Sequence, residues 1–336
     1  MSEVHGTVKK LINDPAAAVD EMLEAFASAH SGFVTLTAPH VLERSRPASS
    51  KVGVTIGGGS GHEPAFLGYV GVGMADSVAV GNIFAAPPPD VVLESIRRAN
   101  HGAGVVLVYG NYTGDRLNCQ LAMQRAAAEG IAVRSVFVSD DVASAPLDEV
   151  EKRRGIAGDF VVFKTTGAAA ESGMDLDEVE RIAKKANAST RSMGVALTGA
   201  EIPGTTRPIF ECGPDEMEVG LGVHGEPGMS REPLRSANIV GRLLAERILD
   251  DLDCSAGSRV AVLINGLGAT PLIEQYLVYR AVHELLVDRG ITIERSFVGE
   301  FITSLQMAGL SATIALLDDE LLGLLDAPAR TVAFVQ

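Results

Sequence analysis

The chain of 336 residues is long enough for two domains of ordinary size. Apolar residues make up 46% and charged residues 21%, with 36 glycines, 5% aromatics and no tryptophan, a globular composition whose core must rest on aliphatic side chains. Twenty-eight Lys and Arg against 43 Asp and Glu leave a net charge of −15, which argues against nucleic-acid backbones and anionic membrane surfaces as bulk partners.

Asp14 followed by Pro15 predicts a helix start, and Val19, Met22, Leu23 and Phe26 keep helical spacing through 16–29. The chain then alternates: strand at 52–56, helix at 88–99, strand at 105–109, helix at 115–129 and strand at 132–138. That rhythm predicts a buried, largely parallel sheet with helices on both faces. The apolar run 159–164 is too short for its period to separate strand from helix. A helix capped by Asp175 follows over 175–187, then a small polar stretch at 187–192. Beyond it, strands are expected at 193–198, 216–223, 260–264, 291–298 and 313–317, and helices at 234–249 and 271–288. Fewer helices per strand point to a mixed sheet covered mainly on one side. The expected fold is therefore α/β with two domains: an N-terminal three-layer α/β/α domain, 1–188, and a C-terminal two-layer α/β domain, 189–336.

Cys119, Cys212 and Cys254 form no C-x-x-C pair, so a disulfide framework or thiolate zinc site is not expected, and a reducing compartment fits best. Residues 1–13 mix charged and polar side chains, with no apolar signal segment, and no run approaches about 18 apolar residues. A cytoplasmic protein without a membrane partner is expected.

The densest chemical signal is Gly57-Gly58-Gly59-Ser60-Gly61-His62-Glu63-Pro64, directly after a strand. Successive glycines let bare backbone approach a ligand, Ser60 and nearby amides can donate to hydroxyls, and His62 opens the next element. The dinucleotide fingerprint and the nucleophile elbow both require glycine where His62 stands, and a P-loop requires a lysine that is absent. A hydrolase acting through Ser60 is thereby disfavoured. A second histidine sits in Gly222-Val223-His224-Gly225-Glu226-Pro227-Gly228, where the neighbouring carboxylate can set its tautomer. A third signal is Gly110-Asn111-Tyr112-Thr113-Gly114-Asp115 at a strand end, where Asp115 is either a helix cap or a general base. Segments 81–90 and 265–271 read as strand-to-helix loops shaping pocket walls. No H-E-x-x-H pattern is present, and His5, His30, His40, His101 and His283 show no ligand spacing, so no metal site is expected and each reads as a surface or helix-end histidine.

Taken together, the Gly57–Pro64, Asn111–Asp115, Gly167–Glu171 and His224–Gly228 segments resemble the substrate-binding subunit of dihydroxyacetone kinases, and 9–15, 265–271 and 304–309 are similar to it as well. The resemblance implies a homodimeric two-domain subunit that holds a short ketose as a hemiaminal on His224. His62 would be the acid/base at the carbonyl oxygen and Asp115 the base for the hydroxyl that receives phosphate. Gly59, Ser60, Gly61 and Gly110 would line the substrate. No cofactor is implied on this chain: ATP or ADP with Mg²⁺ would sit on a separate helical nucleotide-binding subunit. Many dihydroxyacetone-directed members of the family carry lysine where this chain has Gly110. That departure suggests room for a larger ketose such as four-carbon erythrulose. A relative of another class is a non-catalytic, ligand-sensing coactivator of transcription with the same fold, although Asp115 has little use in a sensor. The scarce aromatics fit a site that grips its ligand by a covalent bond and hydrogen bonds.

Overall fold

The computed structural model describes residues 9–46 and 50–336, so His5 and the first eight residues of the polar amino-terminal stretch lie outside the described residues. The first half forms α1 (Ala18–Ala29), β1 (Val34–Ala38), β2 (Val41–Arg44), β3 (Gly53–Ser60), β4 (Gly71–Val72), β5 (Ser77–Ile83), α2 (Pro89–Ala99), β6 (Val105–Gly110), α3 (Thr113–Ala128), β7 (Val133–Val138), α4 (Asp159–Glu171) and α5 (Leu176–Ala188). Six of these strands form one sheet in the order β1-β2-β5-β3-β6-β7. β5, β3, β6 and β7 run parallel, and β1 and β2 add an antiparallel edge. Side chains alternate across it with the strand period of two. Val105, Leu107 and Tyr109 meet Ile96, Cys119 and Ala122 of α2 and α3, while Val106 and Val108 share the opposite core with Phe160 and Val162 of α4 and Val179 and Ile182 of α5.

The second half forms β8 (Thr190–Ala196), β9 (Glu216–Val219), β10 (Ser230–Pro233), α6 (Ala237–Leu249), β11 (Arg259–Gly266), α7 (Leu272–Asp288), β12 (Thr292–Gly299), β13 (Gly309–Leu316), α8 (Asp319–Asp326) and β14 (Arg330–Thr331). Its sheet, β10-β9-β8-β13-β11-β12, is mixed, with β11 and β12 its parallel pair. The α6–α7 pair covers the face carrying Val260, Val262, Ile264, Ala312 and Ile314. Ala261, Leu263 and Ala315 point the other way and join the core around α4. The two α/β layers thus share one apolar core, and β14 returns to pair with β4 of the first half. Arg153 adds a polar tie, forking onto the Asp251 carboxylate at 2.7 and 2.6 Å, and Arg191 binds the same carboxylate at 2.7 Å.

Several boundaries move for physical reasons. α1 begins at Ala18, because the Asp14 carboxylate accepts from the Ala16 amide in a turn of its own. The Gly57–Ser60 run continues β3 as strand, where a Cβ on Gly57 would stand 2.5 Å from the Ala79 carbonyl oxygen and one on Gly58 2.2 Å from the Phe66 ring. Residues 81–83, read as loop, close β5. The run 159–164 opens α4, a helix buried from Asp159 to Ala170 that has no polar face to reveal its period. β9 ends at Val219, since Gly220 takes φ +79° and turns the chain out of the sheet. Among the described residues no helix is long and apolar enough to cross a membrane.

Candidate active site

The chain passes from β3 to β5 on one side and then to β6 on the other, so the sheet changes winding direction at β3. In an open parallel sheet the carboxyl ends of the strands at such a point leave a crevice. Gly59 lies near the end of β3 with His62 just past it, and Gly110 closes β6 with Asp115 following in α3. The loop after β9 brings His224 over the opening, and all five residues line one cavity of about 20 Å³. That is room for little more than one water. Ser60 and Gly61 do not line it. Ser60 Oγ donates to the Gly81 carbonyl at 2.8 Å, and the Gly61 amide donates to the Glu63 carboxylate.

The two imidazoles face each other, with Nε2 of His62 3.0 Å from Nε2 of His224. The protons follow from the other ring nitrogens. His62 Nδ1 lies 2.7 Å from the Thr303 carbonyl oxygen, which can only accept, so this nitrogen carries hydrogen. His224 Nδ1 lies 3.0 Å from Glu226 Oε1. Burial opposes ionisation of Glu226, but the hydrogen bond and charge of His224, with Arg154 adding, hold its carboxyl down to about 2. His224 Nδ1 therefore also donates. The two Nε2 atoms thus face each other at hydrogen-bond distance. Burial, then the charge of His224, push His62 down to about 3, so its ring is neutral at neutral pH.

One segment braces both histidine loops. Asn265 at the end of β11 accepts the Phe301 and Ile302 amides at 2.9 Å and donates to the Ile302 carbonyl at 2.8 Å. This fixes Thr303, whose carbonyl orients His62, and Ser304, whose hydroxyl donates to the Val223 carbonyl just before His224. Asn265 and residues 301–304 thus position both catalytic candidates. Aromatic rings do more here than their scarcity suggested: Tyr112 and Phe84 stand edge-on to His224, with centroids 4.7 and 5.4 Å away.

Asp115 stands in the first turn of α3, but it does not cap the helix, whose N-cap is Tyr112 without a side-chain bond. Its Oδ1 is buried without a partner. Burial pushes the carboxyl up to about 7, against the pull of His224. At neutral pH it is close to half ionised, which suits a general base. Asp159, at the start of α4, also lines the cavity and also has a buried, unpartnered Oδ1. Burial, then Asp140 and Asp115, raise it well above the carboxylate range. Sequence reasoning passed over Asp159, because an acidic residue opening a helix looks like an ordinary N-terminal charge. It also passed over Thr303, which acts through its backbone.

His101, read as a surface or helix-end histidine, stands just past the end of α2 and is largely buried, with Nε2 3.6 Å from Asp76 Oδ1. Among the described residues no three His, Cys, Asp or Glu side chains are grouped to hold a metal ion.

Comparison with known proteins gives consistent matches. The Dak1 domain matches residues 24–333. The dihydroxyacetone-binding subunit of a PTS-dependent dihydroxyacetone kinase from Listeria innocua is 43% identical over 330 residues, covering 97% of this chain and 99% of its own. A D-erythrulose kinase from Mycolicibacterium smegmatis is 46% identical over 325 residues, 97% of this chain, which spans 56% of that enzyme's length. Among solved structures, the dihydroxyacetone kinase of C. freundii in complex with AMP-PNP and Mg²⁺ superposes with a TM-score of 0.89 at 32% identity, over 97% of this chain and 61% of that one. A dihydroxyacetone kinase operon co-activator superposes with a TM-score of 0.89 at 31% identity, over 94% of this chain and 98% of its own.

Proposed function

Because the chain belongs to the Dak1 domain family, a family of kinases, we propose that it is the ketose-binding subunit of a kinase for dihydroxyacetone or a similarly short ketose. The observation that carries this reading is the pair of facing Nε2 atoms in the same cavity as the Asp115 carboxyl. A ketone carbonyl entering there parts the two rings. The lone pair of His224 Nε2 forms a C–N bond with the carbonyl carbon. The carbonyl π pair moves to oxygen, which takes up a proton from solvent by way of His62. The product is a hemiaminal whose ring charge lies against Glu226. A polyol has no carbonyl to capture, so the same chemistry selects ketoses over glycerol. Asp115 then accepts the proton of the terminal hydroxyl as its oxygen attacks a phosphoryl group.

That phosphoryl group would come from ATP, or from ADP recharged in place, held with Mg²⁺ on a separate helical subunit, and the chain would act as a cytoplasmic homodimer divided near residue 188. The test is a titration with dihydroxyacetone labelled with ¹³C at the carbonyl. A tetrahedral carbon signal should appear on the protein and vanish in His224→Ala. Full adduct formation by that variant would overturn the reading. The co-activator of the same fold favours a second reading, a ligand sensor without turnover. Asp115→Asn separates them: a kinase subunit loses phosphorylation with its partner and keeps the adduct, whereas a sensor has no turnover to lose.

A further inference from the structure

Where β2 ends and β3 and β5 begin, the first sheet carries a second cluster of charge, at the opposite end from His62 and Asp115. Asp76 there meets Lys51 Nζ at 2.6 Å and Arg44 Nε at 3.1 Å, and it accepts the Val54 amide at 2.8 Å. Arg44 Nη1 and Lys51 Nζ also reach Glu171, the second at 3.5 Å. Two cations and two carboxylates balance in this quartet. Arg44 also lines a cavity of about 100 Å³ together with Arg46 and Arg330. Among the described residues no carboxylate pairs with either of those two. The cavity therefore presents two uncompensated positive charges in a chain of net charge −15.

Two of the guanidinium groups are held in place. Pairing of β14 with β4 sets Arg330 opposite Val72, and its side chain stacks on the Phe33 ring, 5.3 Å from the centroid. That close pairing requires glycine at 71, where φ is +155° and a Cβ would stand 2.3 Å from the Arg330 carbonyl oxygen. Arg44 is anchored by Asp76 and Glu171. An arginine fixed in advance gives up little freedom on binding, and its planar fork matches the oxygens of a tetrahedral oxyanion. The cavity has room for a group of a few heavy atoms, and two unpaired positive charges match a phosphate dianion. We infer that Arg44, Arg46 and Arg330 bind the phosphate group of a small molecule, as the free ion or as a phosphate monoester.

The site lies apart from the ketose cavity and stands whether or not ketose capture does. Calorimetric titration of the full chain with inorganic phosphate, at constant ionic strength in sodium chloride, tests it. Phosphate should bind the wild type, and Arg46→Ala and Arg330→Ala should each weaken binding about tenfold. Arg46 is exposed, so its loss leaves the fold intact, and circular dichroism checks that for both variants. Arg289→Ala removes an equal charge from the exposed end of α7 and should leave binding within about twofold of wild type. Glycerol 3-phosphate, which has no carbonyl for His224 to capture, is titrated alongside. Comparable binding shows that the site admits monoesters, and binding of inorganic phosphate alone assigns it to the free ion; either result supports the site. No binding of either phosphate to the wild type would overturn it. So would unchanged binding in Arg46→Ala and Arg330→Ala, or equal weakening in Arg289→Ala, which would reduce the effect to bulk charge.

Discussion

A carboxyl buried in the wall of a cavity burdens the fold that carries it, and Asp115 lets that burden be measured. Burial moves its carboxyl from the ordinary 3.8 to about 7. The folded state therefore binds more protons than the unfolded state between these values, and stability falls as pH rises through that window. Below about pH 4 the group costs the fold nothing by ionisation. Above about pH 7 the cost is complete, about 4 kcal/mol at 1.36 kcal/mol per pH unit. Asp115→Asn removes the ionisation but leaves a buried amide with the same missing partner, which returns about 1–3 kcal/mol of that gain. The variant should thus be more stable than wild type by about 1–3 kcal/mol at pH 8.5, and the gap should close by pH 5. Urea unfolding of both proteins at the two pH values measures it. Equal stabilities at pH 8.5, or a gap of the same size at both, would refute the claim that burial sets the proton affinity of this carboxyl.

Glu226→Gln removes the charge facing His224 Nδ1 and should weaken dihydroxyacetone capture by about 1.5–3 kcal/mol, roughly 10- to 150-fold, in the carbonyl titration. Binding within threefold of wild type would show that the carboxylate does not hold the His224 tautomer. Gly58→Ala places a methyl 2.2 Å from the Phe66 ring, which stands edge-on to His62, and should lower stability by about 1–3 kcal/mol by urea unfolding. An unchanged midpoint would mean that Phe66 has somewhere to go. Asp251→Ala strands Arg153, whose side chain is 1% exposed, and should cost about 3–5 kcal/mol in the same assay. A loss under 1 kcal/mol would show that the guanidinium reaches water.

Both histidine loops stood out in the amino-acid order, because turn chemistry alone gives no reason to place an imidazole among glycines. The layered α/β fold with two domains was legible from alternating apolar runs, and the kinase resemblance from the loops themselves. What was hidden was hidden for definable reasons. Thr303 meets His62 across 241 positions and through a backbone carbonyl, which leaves no trace in residue type. Ser60 looked like a substrate donor, but the register of β3 beside β5 commits its hydroxyl to Gly81. The helix carrying Asp159 is buried on every side, so its period was invisible and its first residue went unread. Tyr112 and Phe84 were too few to form a pattern, although both rings crowd His224.

α4 has a consequence for how such a site can change over time. Asp159 sits at one end of a rod whose sides are packed almost throughout, with Gly167 set so close to Met74 that a Cβ there would stand 2.3 Å from the Met74 backbone. Protein interiors transmit volume changes with little compression, and shifts of a fraction of an ångström matter to reacting groups. A larger or smaller residue along this rod would therefore slide its acidic tip within the cavity. The cavity's shape can drift through substitutions two or three turns away, in positions that a survey of lining residues would score as neutral.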